Sequence, residues 1–257
     1  NISLQKKDWA GAEKNYLQAL ELNTKADNKP EMAEDNRNQY NLYLQKEDWE
    51  NAEKYALKSF ALAEEIKDNR NTLSDSRVLT KIYVEKKERA NQDKFYHKSL
   101  ETSEKMKDPR EICADLRGLG KFNMERGYRE KASENFQRSF EISSKLNDKK
   151  EFAEDHRNLA NLAFSNGKRK EAEELYLKAL KLTQEVNDPK GAGQDFTYLG
   201  NLKFKDAKYD EAENYFSQAA VCFKETNSWS SLIQFNMTVA RMQILVGRFD
   251  EFDRYLK

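Results

Sequence analysis

Two histidines, two cysteines and 45 acidic residues are the groups in this chain from which catalysis or metal binding would have to be built. His97 and His156 lie far apart, and no His/Glu pairing at helical spacing suggests a metal site. His156 stands where neighbouring segments carry Leu116 and Phe196, which predicts a packed imidazole. Cys113 and Cys222 are too few and too distant for a disulfide framework or a metal knuckle; they read as buried small residues of an intracellular, cytoplasmic protein. Gly191-Ala192-Gly193 follows a predicted helix start and lacks the strand and lysine of a phosphate loop, so it reads as close packing. Carboxylate pairs such as Glu173 and Glu174 sit among lysines at solvated positions. These patterns predict no enzyme, no cofactor and no metal.

Recognition chemistry is better represented. One series holds Arg37, Arg77, Arg117 and Arg157, then changes to Thr197 and Met237. Four residues on, one helical turn along the same face, come Asn41, Lys81, Lys121, Asn161, Asn201 and Arg241. Three further on come Leu44, Val84, Met124, Phe164, Phe204 and Ile244. An asparagine amide bonds a peptide main chain through donor and acceptor, basic groups hold acidic side chains or a terminal carboxylate, and the apolar row takes anchors, with Phe164 and Phe204 the best placed.

A further series, Asp35, Asp75, Asp115, Asp155 and Asp195, lies two residues before the arginine positions. Residues two apart do not face each other on a helix, so each reaches a neighbouring segment. Pairing arginine with the next aspartate gives Arg37 with Asp75, Arg77 with Asp115, Arg117 with Asp155 and Arg157 with Asp195. The following pair is Thr197 with Phe235, so both charges vanish together; the opposite pairing would strand Asp155 and Asp195. Such bridges contribute about 0–1 kcal/mol each when exposed and more when partly buried. The arginines therefore read as joints between segments, and a paired guanidinium still has donors for a ligand. The Asn/Lys row has no such partner series and reads as ligand contact.

The elements that position these series are set by a constant step. Ala12, Ala52, Ala132, Ala172 and Ala212 recur at 40 or 80 residues, with Gln92 in the missing place. Trp9, Trp49, Tyr209 and Phe249 precede by three, and Tyr16, Tyr96, Phe136, Tyr176 and Phe216 follow by four. Asn28, Asp108, Asp148 and Asp188 are predicted caps, with Pro30, Pro109 and Pro189 in or near the first turn. A first helix ends near Gly127, Gly167 or Gly247, and a second carries Ala172, Tyr176, Ala179, Leu180 and Leu182 on one buried face.

This pattern resembles the tetratricopeptide repeat (TPR). Gly120, Ala160, Gly200 and Ala240 fill its small first-helix position, preceded by Leu119, Leu159 and Leu199, with Ala132, Ala172 and Ala212 twelve residues later. The resemblance implies an all-α fold, a right-handed α-solenoid of antiparallel helix pairs whose first helices line a concave surface. It also implies that asparagine and basic positions there hold peptides. Forty residues exceed the usual 34 or so, so the helices carry extra turns, and that spacing is similar to Pins/LGN polarity adaptors and to bacterial peptide-sensing regulators. The segment with Thr80 and Gln92 is degenerate.

The chain is predicted to be one array: partial repeats 1–27 and 228–257 flank repeats 28–67, 68–107, 108–147, 148–187 and 188–227, and the incomplete ends mark a fragment of a longer polypeptide. Basic and acidic residues balance at 45 each, so no global field favours nucleic acid or anionic lipid. Lysine pairs such as Lys86-Lys87 read as solvated helix ends, and no stretch is apolar enough to span a membrane. The expected function is a non-catalytic scaffold that binds an extended, partly acidic protein segment through Asn41, Lys81, Lys121, Asn161, Asn201, Arg241, Phe164 and Phe204, with Arg117 and Arg157 as further contacts. The alternatives are a spacer in a large assembly or the ligand-sensing regulatory domain of a larger regulator or enzyme. Partner identity and oligomeric state are not encoded in any motif.

Overall fold

The computed structural model describes residues 9–226, 228, 233, 235–237 and 239–240. Within them run eleven helices: α1 (Trp9–Lys25), α2 (Lys29–Gln45), α3 (Trp49–Glu65), α4 (Asn69–Glu85), α5 (Arg89–Met106), α6 (Pro109–Glu125), α7 (Arg129–Ser143), α8 (Lys149–Ser165), α9 (Arg169–Glu185), α10 (Pro189–Lys205) and α11 (Tyr209–Glu225). Successive starts, from Trp9 through Lys29 and Trp49 to Tyr209, advance by 20 residues every time. The 40-residue period is thus two equal halves, and the extra length over a usual repeat is shared between both helices.

Local chemistry explains each boundary. Asp48, Asp68, Asp148 and Asp188 accept first-turn backbone N–H bonds from Asn51, Asn71, Glu151 and Gly191, and Asp108 accepts from Arg110 N at 3.0 Å. Asn28, expected to do the same, makes no side-chain cap bond. Pro30 removes one of the N–H donors it would serve, and its amide is a weaker acceptor than a carboxylate.

At the other end, Asp27, Glu47, Lys67, Lys87, Lys107, Gly127, Asn147, Gly167, Asn187 and Ala207 all adopt positive φ, again 20 residues apart. The next N–H then reaches back to close the helix: Asp48 N to Tyr43 O is 3.0 Å, and Lys208 N to Lys203 O is 2.9 Å. The expected glycine stops at Gly127 and Gly167 are present, but eight non-glycine residues do the same work; Gly247 lies outside the described residues. A Cβ in this conformation is costly, most plainly for Ala207 at φ 57, which has no polar side chain to compensate. Ala207→Gly is therefore expected to stabilise the chain by about 1 kcal/mol, seen as a higher urea midpoint with an unchanged slope.

Backbone contacts divide the chain into two compact units, one up to Leu119 and one from Gly120. In each, connections of a few residues force consecutive helices into antiparallel contact. The first unit is centred on Tyr40, Tyr55, Leu79, Ile82, Tyr83 and Phe95. The second holds Tyr176, Leu199, Phe216, Phe223 and Phe235, among others. The partial repeats expected at the ends lie in part beyond the described residues.

The glutamine that replaces the periodic alanine in the third repeat is not a defect. Gln92 is buried, and its Nε2 donates to the Tyr83 carbonyl at 2.8 Å, so the larger side chain pays for its burial with a bond to the end of α4. Thr80 is likewise buried and donates to Ser76 O at 2.9 Å.

Candidate functional site

The aspartates of the series are buried in each of the two units. Asp75, Asp155 and Asp195 have no exposure at all. Each is met by a group from the preceding second helix: Asn23 Nδ2 to Asp35 at 2.7 Å, Ser59 Oγ to Asp75 at 2.6 Å, Ser139 Oγ to Asp155 at 2.6 Å and Thr183 Oγ1 to Asp195 at 3.1 Å. Within the first unit, Arg77 Nε donates to Asp115 at 2.8 Å, and its other nitrogens reach the Glu111 carboxylate and carbonyl. Within the second, Arg157 holds Asp195 through two bonds of 2.6 and 3.3 Å. Arginine thus pairs forward, with the aspartate of the next repeat.

Where the charges disappear they disappear together. Thr197 turns its hydroxyl back to Gly193 O at 2.8 Å, and Phe235 packs against Phe216 and Phe223. Burial pushes the carboxyls of Asp75 and Asp195 above their ordinary value, with their hydrogen bonds and arginines opposing the shift.

Arg37 departs from the pattern. It makes no hydrogen bond to Asp75; the hydroxyl of Tyr40 donates to that carboxylate instead, at 3.0 Å, and Arg37 lies 3.5 Å from Glu34. The cause is size: Tyr40 stands where later repeats carry a small residue, and its ring brings a hydroxyl to the carboxylate first.

The Asn/Lys row is more open. Asn41, Lys81 and Lys121 are exposed, and Asn161 and Asn201 are half-buried; Arg241, with Ile244, lies outside the described residues. Two of the row have internal partners that the sequence pattern did not indicate. The Tyr176 hydroxyl donates to Asn161 Oδ1 at 2.6 Å, and Lys121 Nζ lies 3.5 Å from Glu154. Phe164 and Phe204 are half-buried against the second unit's core, with Phe204 also packed on Tyr209 at 5.5 Å. Arg117 is 3% exposed and donates to the Cys113 carbonyl at 3.1 Å. Arg117 and Arg157 therefore face inward bonds, whereas Asn161, Asn201, Phe164 and Phe204 keep an accessible edge on one side of α8 and α10.

A second joint runs beside the first. Glu13 accepts from the Tyr43 hydroxyl at 2.6 Å and from Lys46 at 3.1 Å, and Glu53 accepts from Tyr83 at 2.7 Å and from Lys86. In the second unit Lys203 takes the tyrosine's column and lies 2.6 Å from Glu173 and 3.0 Å from Glu211. Its ammonium is pushed up to about 12, chiefly by the Glu173 bond. The signal for this joint is the glutamate that follows the periodic alanine at 13, 53 and 173.

Of the two histidines, His97 is exposed beside Asp93 and His156 is packed. His156 Nδ1 is 2.9 Å from the Phe152 carbonyl, its ring meets Phe140 and Phe152 edge-on, and burial lowers its pKa. Gly193 sits where a Cβ would come within 2.7 Å of the Phe223 ring, and Gly191 where one would meet Thr183 at 2.8 Å, so this glycine pair is close packing. An open cleft of about 480 Å³ lies among Thr183, Asp188, Phe196 and Cys222, but burial raises the Cys222 pKa and keeps it a thiol. Among the described residues no acidic, histidine or cysteine group is arranged to hold a metal. No described helix is long and apolar enough to cross a membrane.

Residues 151–225 match the family model described as tetratricopeptide repeat. No curated protein matches the chain. Solved structures do: BtubC (BKLC) from P. vanneervenii is similar at a TM-score of 0.69 and 18% identity, over 86% of this chain and 92% of that one. The apo form of RapI superposes with a TM-score of 0.72 at 16% identity, covering 99% of this chain and 91% of its own. A Rap protein complexed with competence and sporulation factor gives 0.68 at 15%, over 95% of this chain and 72% of that one. At these identities the likeness is one of fold, and it agrees with the helix pairs and the small-residue contacts: residues 151–225 match the tetratricopeptide repeat, and the described helices have the paired, all-α fold of such solenoids.

Proposed function

We propose that this chain is a non-catalytic interaction scaffold that holds an extended segment of a partner protein against its first helices, with Asn161, Asn201, Phe164 and Phe204 as the centre of contact. The observation that carries this reading is the division of labour between the polar series. Arg77 and Arg157 are engaged by carboxylates of the next repeat, whereas Asn201 makes no hydrogen bond to a described residue and Asn161 uses only its oxygen. Polar amides beside half-buried phenyl rings suit a main-chain contact with an apolar anchor next to it. The Rap protein with competence and sporulation factor bound lends support from the same fold. Lys121 supplies what acidic preference the face has, and Glu154 beside it tempers it.

Replacing Asn161 and Asn201 together by alanine is expected to lower affinity for a partner captured by the wild-type chain about a hundredfold, roughly tenfold for each lost hydrogen bond. Asn201→Ala alone should leave the thermal midpoint within about 2 °C, whereas Asn161→Ala also takes the acceptor from the buried Tyr176 hydroxyl and should lower it by about 4 °C. A large fall in midpoint with unchanged affinity would assign both asparagines to the architecture instead.

A further inference from the structure

We propose that Tyr176 is a positioning residue that makes Asn161 a one-way hydrogen-bond donor, so that the bound segment must offer an acceptor, a main-chain carbonyl or a carboxylate, at that point. This rests on the reading of the Asn/Lys row as a binding face. The Tyr176 side chain is 2% exposed and its ring is stacked on Tyr198, with centroids 5.3 Å apart and planes 3° from parallel, so it does not swing away. A buried hydroxyl must place its proton on an acceptor, and the one hydrogen bond it makes to a described residue is to Asn161 Oδ1, at 2.6 Å. Burial raises the Tyr176 pKa, so the proton is held at neutral pH. With the oxygen of Asn161 so engaged, its amide nitrogen has no described partner, and the residue is only half-buried.

The same column in the adjoining repeats lacks this device. Phe136 and Phe216 occupy the position of Tyr176, and neither has a hydroxyl to orient Lys121 or Asn201. Lys121 is a donor by its chemistry, Asn161 becomes one by its neighbour, and Asn201 remains free to turn either way. Two consecutive points on this face therefore demand acceptors from the bound segment.

Side-chain amide relaxation by NMR on the free chain tests the orientation directly. The Asn161 amide is expected to be ordered, with S² near the rigid value of about 0.85, the Asn201 amide to be below about 0.6, and Tyr176→Phe to bring Asn161 down to the Asn201 level. Equal mobility of the two amides in the wild-type chain overturns the proposal. For binding, the probe is the strongest peptide selected on the chain from a phage-displayed random twelve-residue library, measured by calorimetry. Asn161→Ala should weaken it about tenfold, and Asn161→Asp, which still accepts from Tyr176 but shows an oxygen outward, at least as much. An Asn161→Ala variant that binds normally sinks the binding-face reading itself. An Asn161→Asp variant that binds normally while Asn161→Ala does not overturns only the donor assignment.

Discussion

Arg157→Ala is expected to cost about 3–5 kcal/mol of stability, since it strands a fully buried carboxylate. Asp195 is 0% exposed, and in the wild-type chain it is shared between Arg157 and Thr183. The loss carries a pH signature. Burial already holds the Asp195 carboxyl above its ordinary value, and removing the cation raises it further. A carboxyl whose value is raised by folding stabilises the native state below its unfolded value, about 3.9, and that contribution is lost as pH rises through the folded value. The deficit of Arg157→Ala should thus be largest near pH 7 and shrink toward pH 4. Urea unfolding at both pH values reads it; an equal loss at both would mean that the guanidinium acts by packing alone. Arg157→Met with Asp195→Leu should recover most of the stability, because a buried pair is replaced by apolar volume without an orphaned charge.

The second large effect is steric. A Cβ on Gly200 would lie 2.4 Å from the Phe216 ring, and one on Gly120 equally close to Phe136. Both rings are buried. Gly200→Val is expected to destabilise by about 3 kcal/mol, overpacking outweighing the roughly 0.4 kcal/mol of helix propensity gained by valine over glycine. Gly200→Ala combined with Phe216→Leu should restore a midpoint close to the wild type. If Gly200→Val melts like the wild-type chain, the contact between α10 and α11 is looser than its geometry implies.

These contacts show what could be read from the residues beforehand. The pairing of Arg157 with Asp195, and of Arg77 with Asp115, was legible because translation by one repeat carries each donor to the next acceptor, so the two must vanish together at Thr197 and Phe235. Small against large was legible too: Gly120 with Phe136, Ala160 with Tyr176 and Gly200 with Phe216 keep their summed volume, and Tyr40 with Ala56 inverts the order. What that inversion does to Arg37 was not legible, since it depends on where the Tyr40 hydroxyl lands relative to Asp75. The left-handed turns at Lys67 or Lys107 were hidden for a different reason. Lysine has no preference for that backbone, and the helices closing on either side impose it. In the candidate site the row itself was visible at its period, but the bond from Tyr176 that orients Asn161 was not. A hydroxyl fifteen residues away on another helix leaves no mark in the spacing of the row.

The forward pairing of arginine with aspartate also gives the repeats a direction, as tiles with a tongue on one edge and a groove on the other. A tile bearing arginine accepts any successor bearing the matching aspartate, and the twenty-residue step sets every cut at the same turn. A gene segment encoding 148–187 could then be duplicated in tandem with each new joint reproducing an Arg–Asp contact already present. The tile that carries Thr197 is different: it offers no guanidinium, so an aspartate-bearing tile placed after it would bury its carboxylate without an arginine from the tile before. Growth by duplication is thus open upstream of that tile, whereas behind it an inserted aspartate must find a partner other than arginine.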